Sequence, residues 1–150
     1  MICITGIPCT GKTSICRILN ENGIQCSGLD EIARQAGALS NGIVDIDSLK
    51  CYSIDSTIVE SHYSHLLECD FVIILKDSEE RIRKRMHARK YSEKKIEENL
   101  DAQRADIIYF EALEQLPSNH IFVVEASDRN ISDIFEEVYG IILRINKKVN

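Results

Sequence analysis

The stretch Ile2-Cys3-Ile4-Thr5-Gly6-Ile7-Pro8-Cys9-Thr10-Gly11-Lys12-Thr13-Ser14 decides the fold. Ile2 to Thr5 is a short strand-forming run, Gly6 to Thr13 fits G-x-x-x-x-G-K-[ST], and a helical segment from Thr13 to Asn20 carries Ile15 and Leu19 four apart. Strand, glycine-bounded loop and helix in that order make a phosphate cradle. Backbone N–H groups of the loop and the helix N-terminus converge on an anion, and Lys12 sets a compact positive charge by the β and γ phosphates. Thr13 offers its hydroxyl to Mg2+, and Ser14 is placed to reach the α phosphate. The expected ATP-binding set is therefore Gly6, Ile7, Pro8, Cys9, Thr10, Gly11, Lys12, Thr13 and Ser14.

Outward from the loop, strands alternate with helices. Ile24 to Ser27 is a weak strand before a short helix from about Leu29 to Ala36, and Gly37 to Ser56 has no sustained periodicity and reads as a flap. Thr57 to Glu60 and Phe71 to Lys76 are β-branched or aromatic runs, the second apolar on both faces, as a strand covered by helices requires. Asp77-Ser78 caps a helix with Glu79 and Glu80 in its first turn and Ile82 and Met86 inside. A further helix runs from Glu93 to Gln115, stopped by Pro117; His120 to Glu125 is a strand, and Ser132 to Asn146 a helix with Ile134, Val138, Ile141, Ile142 and Ile145 on one stripe. The pattern predicts an α/β fold with a parallel sheet between helices, in one P-loop domain spanning 1–150, with a flap at about 28–56 and a lid at about 85–95.

A chain of 150 residues with 44% apolar and 28% charged positions can bury its own core, which excludes a disordered tail or a disulfide mini-protein. The net charge of -6 argues against an indiscriminate grip on nucleic acid or anionic lipid. No run nears the roughly 20 apolar residues of a membrane helix, and Met1 to Ile7 lacks the basic leader of a signal peptide. The six cysteines, at 3, 9, 16, 26, 51 and 69, have no Cys-x-x-Cys pair and irregular spacing, so reduced thiols in a cytoplasmic monomer are expected, or a nuclear one in a eukaryote.

The missing Asp-x-x-Gly and Asn-Lys-x-Asp elements argue against a guanine-specific switch. Small phosphotransferases built on this loop instead close a basic lid over the phosphates. Eight of the 18 Lys and Arg fall between Arg81 and Lys95, and Arg81, Arg85 and Arg89 share one helical stripe opposite Ile82 and Met86. Arg85 and Arg89 are the candidates to meet nucleotide, whereas Arg81, at the helix start, suits a surface ion pair. For the metal, Glu60 follows a strand and stands two residues before His62, so the pair can hold Mg2+ through water and orient a reacting water. Asp77 is better used as a cap. His62 with His65 lacks a third ligand and is read as structural in part.

These residues resemble the adenylate kinase isoenzyme six family, small nuclear and archaeal adenylate kinase-like ATPases also linked to small-ribosomal-subunit maturation. The likeness rests on the loop Gly6 to Thr13, on Glu60-Ser61-His62 as an acidic-x-His form of the Walker B element, and on Arg85-Met86-His87-Ala88-Arg89-Lys90-Tyr91-Ser92-Glu93-Lys94-Lys95 with Ile96 and Glu98-Asn99 after it. It implies a five-stranded core in the order 2-3-1-4-5 and reversible phosphate transfer between ATP and AMP, with ATP hydrolysis besides. Catalytic roles would fall to Lys12, Glu60, His62, Arg85 and Arg89, with Thr13 and Glu60 serving Mg2+. Leu29-Asp30-Glu31-Ile32-Ala33-Arg34 is similar to the family's monophosphate-binding helix, which places Arg34 on the AMP phosphate. Cys9 stands where relatives commonly have Gly, and Gly37 to Ser56 is shorter and less acidic than the family pattern.

Three functions remain open on the residues alone. The first is an ATP:AMP phosphotransferase. The second is an ATPase assembly factor that binds a small-subunit ribosomal protein or pre-ribosomal particle. The third is a kinase for another monophosphate or for a metabolite hydroxyl, for which Asp45 and Asp47 are the weak carboxylate candidates.

Overall fold

The computed structural model describes residues 1–149. Its main sheet has five strands, numbered along the chain β1 (Ile2–Thr5), β2 (Ser27–Gly28), β3 (Ile58–Glu60), β4 (Phe71–Lys76) and β5 (Ile121–Glu125). They lie in the order 2-3-1-4-5, all parallel, with Cys3 opposite Val59 on one side and Val72 on the other. Parallel strands buried on both faces need apolar residues throughout, and alternation then sorts them. Ile2, Ile4, Phe71, Ile73 and Leu75 join the core under helices α1 (Lys12–Glu21) and α7 (Ile131–Val149). Cys3, Val59, Val72 and Ile74 join the opposite core, with α2 (Leu29–Gln35) and the Tyr63–Leu67 turn. The five apolar residues of the α7 stripe are all buried.

The flap is more ordered than its sequence suggests. Leu39–Ser40 and Ile43–Val44 pair as an antiparallel hairpin around Asn41 and Gly42, both at positive φ (51° and 76°), the geometry that a two-residue hairpin turn demands. Helix α3 (Ile46–Lys50) follows, and Asp45 caps it, its carboxylate accepting from the N–H and hydroxyl of Ser48 at 3.1 and 2.7 Å. That use, with Asp47 exposed in the first turn, removes both from any catalytic part.

The long helix expected over Glu93 to Gln115 is two. Helix α4 (Glu79–Ala88) is followed by α5 (Glu93–Arg104) and α6 (Ile107–Leu113). Asp106 separates the last two with φ 51°, and its carboxylate meets Lys76 Nζ at 2.6 Å at the end of β4. The break turns Ile108, Tyr109 and Ala112 onto the sheet, which a straight continuation of α5 would carry away from it.

The cysteine expectation also changes. Cys3 is disulfide-bonded to Cys69 and Cys16 to Cys26, with Cα separations of 6.0 and 5.4 Å, while Cys9 and Cys51 are free. The first pair is 66 residues apart in sequence, so spacing gives no sign of it; β1 and β4 are neighbours, and Cys69 lies two residues before β4 begins. The second joins α1 to the approach of β2, where Asn20 also bonds both Cys16 and Cys26. Reduced thiols therefore no longer argue for a compartment. Among the described residues no helix is long and apolar enough to cross a membrane.

Candidate functional site

The loop between β1 and α1 is held by contacts that few residue types allow. Gly6 has φ 145°, and a Cβ there would lie 2.4 Å from the Leu75 carbonyl oxygen and 2.8 Å from Thr10 Oγ1. Gly11, at φ 96°, starts α1 in the left-handed region that glycine enters freely. Thr10 Oγ1 donates to the Ile7 carbonyl at 2.9 Å and closes the loop. Lys12 Nζ donates to the Gly6 and Ile7 carbonyls at 2.8 Å each, and its remaining N–H has only the long 3.5 Å approach to Thr10 Oγ1 to give up for a ligand. Burial pulls this ammonium down to about 8, against the upward pull of Glu60.

Cys9 sits at φ 71° without being glycine. Its side chain is buried with Ile7, Ile82, Met86, Ile96 and Leu100, so the thiol joins the loop to the core beneath α4 and α5. Packing there offsets the roughly 1–2 kcal/mol of an L-residue in that region.

The loop opens on a cleft of about 270 Å³ at the N-terminus of α1. Pro8, Cys9, Gly11, Lys12, Thr13 and Ser14 form one wall, and Glu60, Ser61 and His62, at the carboxyl end of β3, form the facing one. Thr13 Oγ1 donates to Glu60 Oε1 at 3.3 Å, which brings together the hydroxyl and carboxylate that the sequence pairs through magnesium. Burial raises the Glu60 carboxyl, moderated by Lys12 and the Thr13 hydroxyl. Burial, then Lys12, lowers His62, so its imidazole is neutral at pH 7. His65 is separate: it is buried, with Nδ1 at 2.9 Å from Thr5 Oγ1 and Nε2 at 2.7 Å from Glu111, and serves packing between β1 and α6.

The arginine stripe is real but divided. Arg81 Nη1 donates to the carbonyls of Ala126 and Arg129, a structural place. Arg85 lies outside the cleft lining, donating to Asp77 Oδ2 at 2.8 Å and to the Cys9 carbonyl at 2.9 Å. Arg89, the residue that ends α4, reaches the cleft together with Tyr91. Arg34 is not brought there; it is exposed on α2 and paired with Glu31. Ile7 and Thr10 shape the loop through their carbonyl and hydroxyl without lining the cleft.

One expected role changes, and two residues take a place that the sequence does not assign them. Asp77 is not the cap of α4, a part taken by Ser78, whose side chain accepts from the Arg81 N–H at 3.3 Å; its buried carboxylate instead holds Arg85 and Arg81. Asp30 lines the cleft from the first turn of α2, and Tyr63 donates its hydroxyl to Asp30 Oδ1 at 2.7 Å. Nothing in the spacing of Asp30 and Tyr63, 33 residues apart, announces that pair.

A parallel α/β sheet with its phosphate loop at the carboxyl edge, a cationic residue from the C-terminal end of α4 and an acidic strand end opposite define a P-loop nucleotide-binding protein of the kinase type. A family model described as "AAA domain" matches residues 2–106, and the chain belongs to that family. It is 48% identical over 145 residues to a Thermoplasma acidophilum protein named "Putative adenylate kinase", covering 93% of this chain and 98% of that one. Proteins of the same name from Thermoplasma volcanium and Archaeoglobus fulgidus are 40% and 33% identical, over 95% of this chain each and 94% and 82% of theirs. Among solved structures, TT1252 from Thermus thermophilus superposes with a TM-score of 0.55 at 18% identity, covering 95% of both chains. A gluconokinase from Sinorhizobium meliloti 1021 does so at 0.57 and 15%, over 99% of this chain and 94% of that one. Both establish likeness of fold.

Proposed function

We propose that this chain is an ATP-dependent phosphotransferase that moves the γ-phosphoryl group to AMP, giving two ADP, and hydrolyses ATP as an accompanying reaction. The observation that carries the reading is the convergence of Lys12, Thr13, Glu60 and Arg89 on one cleft at the start of α1. The names of the archaeal relatives favour adenylate as the acceptor. An AMP phosphate oxygen is already a competent nucleophile, so the chain has to align it and meet dispersed charge rather than remove a proton. Lys12 meets the β and γ oxygens, the N-terminal amides of α1 meet the phosphate tail, and Arg89 covers it from the lid. Arg85 supports the loop through the Cys9 carbonyl, and Arg34 joins the acceptor's phosphate by exchanging Glu31 for it. The Thr13 hydroxyl and Glu60 carboxylate are oxygen donors of the kind magnesium prefers, and would hold it directly or through water. When bound, magnesium would supply positive charge to offset that of the triphosphate.

His62, neutral and beside Glu60, favours a second reading in which ATP hydrolysis drives opening and closing on a partner, here a small-subunit ribosomal protein or pre-ribosomal particle. Measuring ADP formed from ATP with and without AMP separates the two. Strict dependence on AMP supports the transferase, and equal hydrolysis without it, quickened by the partner, supports the factor. Full phosphate transfer by Lys12→Met would end both.

A further inference from the structure

The cleft carries two carboxylates beside its cations, which gives it means to serve a second kind of nucleophile besides a phosphate. Asp30 and Glu60 both line it, while Arg34 is spent on Glu31 and stays outside. Until Arg34 leaves Glu31, an incoming monophosphate finds the cations of the cleft lining in Lys12 and Arg89 and meets repulsion from Asp30. A neutral O–H nucleophile has the opposite needs: it requires an acceptor for its hydrogen and gains nothing from extra cations. Asp30 is built for that. Tyr63, anchored in the core beside β3, donates to Oδ1 at 2.7 Å and so holds one oxygen of a side chain that lines the cleft. The phenol loses its proton far less readily than a free one, because of burial and Asp30, so it remains a donor at any working pH. His62 lines the same wall.

Building on the phosphotransferase reading, we propose that Asp30, oriented by Tyr63, accepts the proton of a neutral O–H nucleophile, so that the site also transfers the γ-phosphoryl group to water or to a small alcohol. The nucleophile's oxygen forms a bond to the γ phosphorus, the bond from phosphorus to the β–γ bridging oxygen breaks, and ADP leaves with its electron pair. The proton passes to Asp30 Oδ2 and from there to solvent. Asp30 is the catalytic residue of this branch and Tyr63 a positioning residue.

The test measures partition between nucleophiles. Purified wild type, Asp30→Asn and Tyr63→Phe are given γ-labelled ATP with magnesium, alone, with glycerol or D-ribose, and with AMP. Asn keeps an oxygen for Tyr63, so the fold, followed by melting temperature, should hold. The expected result is an AMP-independent rate about a hundredfold lower in Asp30→Asn, with a smaller fall in AMP-dependent transfer, and a milder shift of the same ratio in Tyr63→Phe. Label recovered as inorganic phosphate assigns water; label recovered on the polyol assigns the alcohol. An unchanged ratio in Asp30→Asn overturns the proposal, whether both rates stand or fall together. Absence of ATP turnover by wild type under every condition overturns the phosphotransferase reading, and this branch with it.

Discussion

Arg85 is fastened to Asp77, Nη1 to Oδ2 at 2.8 Å, while the same guanidinium nitrogen donates to the Cys9 carbonyl at 2.9 Å. One buried carboxylate at the end of β4 thus ties α4 to the phosphate loop. Arg89, one turn further on, has no such anchor and is the cation that lines the cleft. The two arginines should separate in a mutant series. Arg89→Ala is expected to lower kcat by about a hundredfold or more with little change in melting temperature. Asp77→Ala strips the partner from Arg85 and Arg81, whose charges remain partly hydrated, and should cost about 1.5 kcal/mol of stability. Urea denaturation beside steady-state rates checks both. Equal loss of kcat and stability in Arg89→Ala would show that it, too, is a structural clamp.

At Gly6 the constraint is steric. A methyl group would sit 2.4 Å from the Leu75 carbonyl oxygen, a backbone atom that cannot swing aside, and φ 145° strains any L-residue. Gly6→Ala is expected to lose about 2 kcal/mol or more and to displace the carbonyl that accepts from Lys12. Nucleotide binding should weaken alongside, read by ATP-induced rise in melting temperature. Gly42→Ala, where a Cβ meets nothing within 4 Å, is the control for φ alone.

The sheet was legible because each strand's residues face cores on both sides, and the loop because its chemistry is contiguous. Ile15, Leu19, Ile82 and Met86 fell on their helices' inner faces for the same reason, a period that sequence displays directly. What escaped depends on distant partners. Asp106 ends α5 because Lys76 waits at the end of β4, and no propensity of residues 93–115 encodes that. Asp77 looked like a cap since Asp-Ser before a helix suits one, and only the fold places Arg85 over it. The Asn41-Gly42 hairpin was the exception, a local signal passed over for want of flanking alternation.

Two disulfides give a chemical count. Under denaturing, non-reducing conditions the chain should show only the thiols of Cys9 and Cys51, and after reduction all six cysteines. Closing the 66-residue separation of Cys3 and Cys69 stabilises by about 4 kcal/mol on the chain-entropy account. Reductant should therefore lower the melting temperature, and Cys3→Ser should reproduce most of that fall, while Cys51→Ser changes nothing. Six titratable thiols before reduction would contradict both bridges.

Lys12 links stability and binding with opposite signs. In the folded chain it releases its proton at about 8, against 10.5 when free. Between those values the unfolded chain holds more protons, so stability rises with pH across that window, and below it the buried charge is a standing cost. That cost is about 3 kcal/mol, comparable with the two charge-assisted hydrogen bonds to Gly6 and Ile7 at about 1.5 kcal/mol each. Lys12→Met should therefore melt close to wild type at neutral pH while ATP binding is lost. In wild type, triphosphate raises the affinity of Lys12 for its proton, so ATP binding takes up protons above pH 8 and weakens as pH climbs toward 10.5. Calorimetric titration in two buffers of different ionisation enthalpy measures that uptake; its absence across the window would show that Lys12 does not touch the phosphates.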